Sequence, residues 1–212
     1  MKIKKLFMEE INLQNSSKTL KQLLEGRKLI LASSSPRRKE ILKKEGIEFE
    51  IKFPSDIVEE TFSSDPVKHV LTLSRMKAES VCDPTDEGII LGADTVVVLD
   101  REILGKPQSS KEAFLMLKKL SGRMHRVYTG ITLWNKHNGK IISDYDCTEV
   151  QFNQLEDQKI AAYIDTGEPM DKAGAYGIQG MGSFLVESIK GNLDNVIGLP
   201  TGKLKEMLSK II

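Results

Sequence analysis

Asp94 stands inside an otherwise apolar run, GIILGADTVVVLD (residues 88–100), with Ile89–Leu91 before it and Val96–Leu99 after it. A buried, unpaired carboxylate is costly, so Asp94 must meet a strand break, hydrogen-bond donors or a cation. A plainer alternative makes it a turn residue bonded to its own backbone. The next stretch, REILGKP (101–107), is a short run able to pair with the first and to bring Lys106 to the same end. A carboxylate and a lysine would then face one cleft.

A second conflict lies in LASSSPRRKEIL, residues 31–42. Pro36 suits a first helical position, Ser35 the N-cap before it, and Gly46 a left-handed stop, which predicts a helix from Pro36 to Glu45. Its first turn carries Arg37 and Arg38, although a helix N-terminus favours negative charge by roughly 0.3–1 kcal/mol per group. An anion bound there resolves the conflict, since serine hydroxyls, free N–H groups and two guanidiniums can converge on one phosphate. Taken alone, the arginine pair also reads as solvated surface.

Two further segments have the composition of site loops. SGRMHRVYTG (121–130) places Arg123 and His125 at a helix-to-strand junction, where surface and core roles are the simpler reading. GEPMDKAGAYGIQG (167–180) has neither helix nor strand period, and its small and aromatic residues argue against disorder. Its glycines allow close approach of backbone to a ligand, and Gln179 offers a donor and an acceptor for the edge of a nucleobase. There is no P-loop, no GxGxxG after a strand, no nucleophile elbow and no HExxH. Phosphate would have to be held by side chains and a metal ion.

The elements that must position these residues alternate, which predicts an α/β domain. Strands are expected near 28–33, 48–53, 89–99, 126–134, 140–153 and 183–189. Asp65–Pro66 opens a helix to about Val81; Ser109 with Glu112 reads as a capping box for a helix ending near Leu120; further helices span 156–165 and 201–210. The pattern around NKHNGK reads as a hairpin, so the sheet should be mixed.

With 31 basic and 30 acidic residues in 212, the net charge of +1 gives no field for non-specific nucleic-acid binding. Two cysteines and three histidines match no zinc spacing or disulfide framework, so a reducing compartment, the cytoplasm, is expected. Glu9, Glu10 and Asn12 interrupt any leader-like run after Met1–Phe7, and no stretch reaches the about 18 apolar residues of a membrane span. Residues 1–26 read as an N-terminal extension, polar at first and then amphipathic over SKTLKQLLEG, ahead of one domain over 27–212.

Taken in order, LASSSPRRKEIL, GADTVVVLD, GKP, SGRMHRVYTG, EPMDKAGAYGIQG and NVIGLP resemble the motifs of the Maf family of nucleoside triphosphate pyrophosphatases, over about residue 28 to the C-terminus. The resemblance implies a two-lobed α/β fold with a mixed sheet and flanking helices, related to inosine triphosphate pyrophosphatases, with the cleft between lobes. It also implies metal-dependent conversion of a nucleoside triphosphate and water to the monophosphate and pyrophosphate. Arg37, Thr95 and Gln179 match the dTTP/UTP-directed pattern, where 7-methyl-GTP-directed members carry Trp, Gln and Glu. KGNLDNVIGLP departs from the pattern, which more often has an aromatic before the asparagine or valine, as does the N-terminal extension.

On this basis Arg37, Arg38, Lys77 and Lys106 are expected on the phosphates, with Ser33 and Ser35 completing the cradle. Without the family pattern, Lys77 reads as an exposed lysine of its helix. Asp94 and Glu59, or its neighbour Glu60, are expected to ligate Mg²⁺ or Mn²⁺, ions that prefer oxygen. Asp94 is also the expected general base for the attacking water, a role that partly competes with metal ligation. A homodimer is implied by the family, and CTP, a modified nucleotide, or a nucleotide-binding role in septum formation are the alternatives.

Overall fold

The computed structural model describes residues 18–55, 57, 63–84 and 86–212. A seven-stranded mixed sheet runs in the order β2-β1-β3-β5-β6-β7, with β4 pairing β3. The strands are β1 (Leu29–Ala32), β2 (Phe49–Lys52), β3 (Ile89–Leu99), β4 (Glu102–Leu104), β5 (Met124–Asn135), β6 (Ile141–Phe152) and β7 (Val186–Lys190). Helices are α1 (Leu20–Leu24), α2 (Pro36–Lys44), α3 (Pro66–Ser80), α4 (Ser110–Leu120), α5 (Asp157–Asp165), α6 (Leu193–Ile197) and α7 (Thr201–Ile211). β1 is parallel to β2 and β3, while β3, β5, β6 and β7 pair antiparallel, as the hairpin at 136–140 requires.

The end signals act largely as their chemistry dictates. Ser35 and Pro36 open α2, and the Asp65 carboxylate caps α3 by accepting from Val67 and Lys68 N–H. At α4 only half of the expected capping box forms. Ser109 accepts from Glu112 N–H, but Glu112 reaches past it to Gln108 N–H at 2.8 Å. The last strand starts three residues later than expected, because Gly180–Leu185 winds into 3-10 turns. Helix α6, capped by Asn192, has only five residues, too few to show a period.

Two lobes arise on one face of this single sheet. Leu91, Ala93, Ile131 and Leu133 pack with α1 and α7 in one apolar cluster; Val97, Leu99, Val127 and Phe152 pack with α4 and α5 in another. Between them the strands carry Thr95 and Thr129. These join Arg38, Thr148 and Asn195 in a polar seam, and Asn195 and Thr129 are fully buried. Such groups are tolerated in a core when bonded, and here they bond largely to one another, with Asn195 Oδ1 left without a partner among the described residues. Leu20, Leu23 and Leu24 of α1 are buried in the first cluster, so this part of the N-terminal segment belongs to the core.

Helix α3 covers the other face, and two glycines let it lie close. A Cβ on Gly92 would stand 2.1 Å from Ser74 O, and one on Gly130 would stand 2.5 Å from Val70 O. No helix among the described residues is long and apolar enough to cross a membrane.

Candidate active site

β1 pairs with Ile89–Gly92 and β4 with Val97–Leu99, so no described strand pairs with Ala93–Val96 on that edge of β3. The chain leaves β1 for β2 on one side and returns as β3 on the other, a point where the carboxyl ends of parallel strands open a crevice. A cleft of about 620 Å³ occupies this gap, lined by Ser33–Arg38, Asp94–Val97, Lys106 and the 171–179 loop among others. That is the size range of small-molecule sites.

Asp94 does not break its strand and is not a turn residue. It sits mid-strand opposite Gly130, 6% exposed, and accepts a 2.7 Å hydrogen bond from Lys77 Nζ at Oδ1. Lys77 is buried rather than exposed on its helix. The close approach allowed by Gly92 and Gly130 brings it within reach. Thr95, the next residue, points to the opposite face because strand side chains alternate. Both therefore reach the cleft from one stretch of β3 that pairs with β5 on its other edge alone.

The structure divides the two arginines. Arg38 is 9% exposed and braces three segments, donating from Nε to Gly198 O (2.9 Å), from Nη1 to Ser33 Oγ (3.1 Å) and from Nη2 to Thr95 Oγ1 (3.1 Å). Proton order in the seam follows. Thr129 donates its single O–H to Asn195 O, so Thr95 must donate to Thr129 at 3.0 Å and accept from Arg38. Arg37 is more open and pairs with Asp171 at 3.0 Å. Asp171 also accepts from Lys172 Nζ at 2.7 Å. Burial works to raise the Asp171 carboxyl, but Lys172 and Arg37 outweigh it and hold it below the usual carboxylate range.

Ser33 Oγ accepts from Ser35 N–H as well as from Arg38, while Ser35 makes no side-chain cap bond. Lys106 lies on the opposite wall, and its loop is tied to the 167–180 loop by Gly174 N–H donating to Gly105 O at 2.9 Å. Gln179 is exposed at the cleft, and its amide has no hydrogen-bond partner among the described residues. Glu59 and Glu60 lie outside the described residues. Among the described residues no three His, Cys, Asp or Glu side chains gather as a metal site.

Sequence reading did not assign Asp171, Lys172 or His69 to the site. His69, Leu73 and Lys77 recur at four-residue spacing and all line the cleft, a period that pointed to His69 once Lys77 was placed. By contrast, His125 is core: it is 2% exposed, bonded through Nε2 to the Tyr176 hydroxyl at 2.7 Å and packed on Phe152. Burial drives its imidazole down to a pKa of about 4. Arg123 pairs with Asp100 on the surface.

Residues 28–211 match the Maf-like protein family. The chain is 48% identical to a dTTP/UTP pyrophosphatase of Thermoanaerobacter sp. (strain X514), over 86% of this chain and 96% of that protein. It is 50% identical to one of Carboxydothermus hydrogenoformans, over 84% and 95% respectively, and 50% identical to one of Clostridium perfringens (strain 13 / Type A), over 85% and 95%. Among solved structures it is similar to a HAM1 protein from Coxiella burnetii, with a TM-score of 0.47 and 15% identity over 87% of this chain and 98% of that one. The motifs ranged around the β3 gap and the match across nearly the whole described domain place this chain in the Maf-like protein family.

Proposed function

We propose that this protein hydrolyses dTTP and UTP to the monophosphate and pyrophosphate, in keeping with relatives named dTTP/UTP pyrophosphatase. One observation carries the reading: an Asp–Lys pair on the floor of a cleft at the sheet's crossover point, with Arg37, Lys106 and Lys172 around it. That arrangement sets the Asp94 carboxylate among several cations, two of which, Arg37 and Lys172, are held by Asp171, and a polyanion attacked by water needs such cations.

Arg37 and Lys106 bind the phosphate chain, with Arg37 exchanging Asp171 for phosphate oxygens. Lys77 holds Asp94 in place and adds positive charge beside the reacting phosphorus. Asp94 Oδ2, the oxygen not bonded to Lys77, accepts the proton as water oxygen bonds to the α-phosphorus. The α–β bridge then breaks and pyrophosphate leaves with the bonding electrons. Arg38 braces Ser33, Thr95 and Gly198 as well as serving the phosphate chain from the same helix end. Gln179 pairs with the O4/N3–H edge of uracil or thymine, its N–H donating to O4 and its carbonyl accepting from N3–H.

Mg²⁺ and Mn²⁺ commonly take one or two carboxylates and complete their shell with substrate phosphates and water. Asp94 fits that role as one oxygen ligand, in competition with its work as base, and Glu59 or its neighbour Glu60 is the proposed second. Such an ion would neutralise charge developing on the phosphates.

Pyrophosphate release from a panel of nucleoside triphosphates, with Mg²⁺ present, tests this reading. Turnover of dTTP and UTP supports it. Turnover of CTP or 7-methyl-GTP in their place corrects the substrate, and binding without turnover favours a regulatory role.

A further inference from the structure

Behind the loop that carries Gln179, two side chains without an assigned role form a small clamp. Tyr163, on α5, is 2% exposed, and its ring packs edge-on against Phe184 at 6.1 Å. Its hydroxyl donates to Glu168 Oε1 at 2.9 Å and accepts from Gly177 N–H at 3.1 Å. The other oxygen of the same carboxylate, Glu168 Oε2, accepts from Met181 N–H at 3.2 Å. One phenol–carboxylate pair thus holds the backbone at both ends of the five residues from Gly177 to Met181, with Gln179 at their centre.

Close packing shows how tightly the segment folds around that pair. A Cβ on Gly182 would stand 2.3 Å from Gly177 O and 2.7 Å from Tyr163 Oη, and one on Gly180 would stand 3.2 Å from Glu168 Oε2. Gly180 itself needs a φ of +70°, a conformation costly for other residues. Gln179 is extended, with φ −97° and ψ 161°. Its own amide is bonded to no described residue, so what the fold fixes is the backbone from which that side chain extends, and Tyr163 and Glu168 hold that backbone.

We propose that Tyr163 and Glu168 are positioning residues for base recognition, holding the Gly177–Met181 segment so that the Gln179 amide meets the pyrimidine edge in one orientation. This rests on the assignment of base recognition to Gln179. Uracil and cytosine differ at that edge, O4 and N3–H in one becoming an amino group and a bare N3 in the other. Loosening the amide therefore weakens the choice between them more than it weakens phosphate binding.

The test measures kcat/KM for UTP and CTP, with thermal melting, in the wild type, Gln179→Ala, Tyr163→Phe, Glu168→Gln and Glu168→Ala. Gln179→Ala should collapse the UTP/CTP ratio. Tyr163→Phe keeps the ring but loses both bonds of the hydroxyl, and should lower the ratio about five- to ten-fold, with KM for UTP rising more than kcat falls. Glu168→Gln retains a carbonyl acceptor and should keep more of the ratio than Glu168→Ala, which also carries the test should Tyr163→Phe not fold. An unchanged ratio in Tyr163→Phe and Glu168→Ala, with the ratio collapsed in Gln179→Ala, overturns the clamp alone. An unchanged ratio in Gln179→Ala overturns the reading of Gln179 and the clamp with it.

Discussion

Lys77 and Asp94 meet at 2.7 Å with side chains 10% and 9% exposed, from a helix on one face of the sheet and a strand within it. Removing one member of such a pair strands the other charge in the core, which typically costs about 3–5 kcal/mol. Lys77→Met should therefore lower the melting temperature substantially and abolish turnover. Adding Asp94→Asn to that variant should recover part of the stability and none of the activity. A double variant no more stable than Lys77→Met would show that the two charges are not coupled.

Arg37 and Arg38 are neighbours in sequence with different work to do. Arg38→Ala removes three hydrogen bonds and leaves Gly198 O, Ser33 and Thr95 short of a donor, so it should destabilise by about 3 kcal/mol. Arg37→Ala breaks one half-exposed pair and should leave stability within about 1 kcal/mol while raising KM for the triphosphate. Denaturant unfolding and steady-state kinetics on both variants separate the roles. Equal losses of stability would refute the division.

His125 makes stability depend on pH. Its ordinary pKa of 6.5 falls to about 4 in the fold, first through burial. Between those values the unfolded chain binds more protons, so stability is full above about pH 6.5 and is lost as the pH falls towards 4. The loss is at most roughly 3 kcal/mol from this group. His125→Gln, which cannot titrate, should melt at a lower temperature at pH 7 yet lose less on going to pH 5 than the wild type does.

Much of this site was legible in sequence because its residues break local rules. A carboxylate in an apolar strand and arginines at a helix N-terminus each demand a partner, and Asp94 finds Lys77 as Arg37 finds Asp171. Ser35, Pro36, Asp65 and Gly46 marked helix ends because the first and last turns have fixed bonding needs. What stayed hidden depends on contacts across the chain. Nothing local says that Arg38 will bond Gly198, 160 residues away, or that Thr95 and Thr129 will form the seam between lobes. The strand expected over 183–189 begins only at Val186, since 183–185 belong to the Gly180–Leu185 turns, whose first residues are tied to Glu168 by a contact no local period signals.

Product analysis of the wild type and Asp94→Asn with UTP and Mg²⁺ tests the assigned reaction and the role of Asp94 together. The wild type should yield UMP and pyrophosphate in equal amounts. Asp94→Asn should lose at least about 100-fold in rate with an unchanged circular dichroism spectrum. Orthophosphate and UDP as the wild-type products, or near-normal turnover by Asp94→Asn, would contradict these assignments.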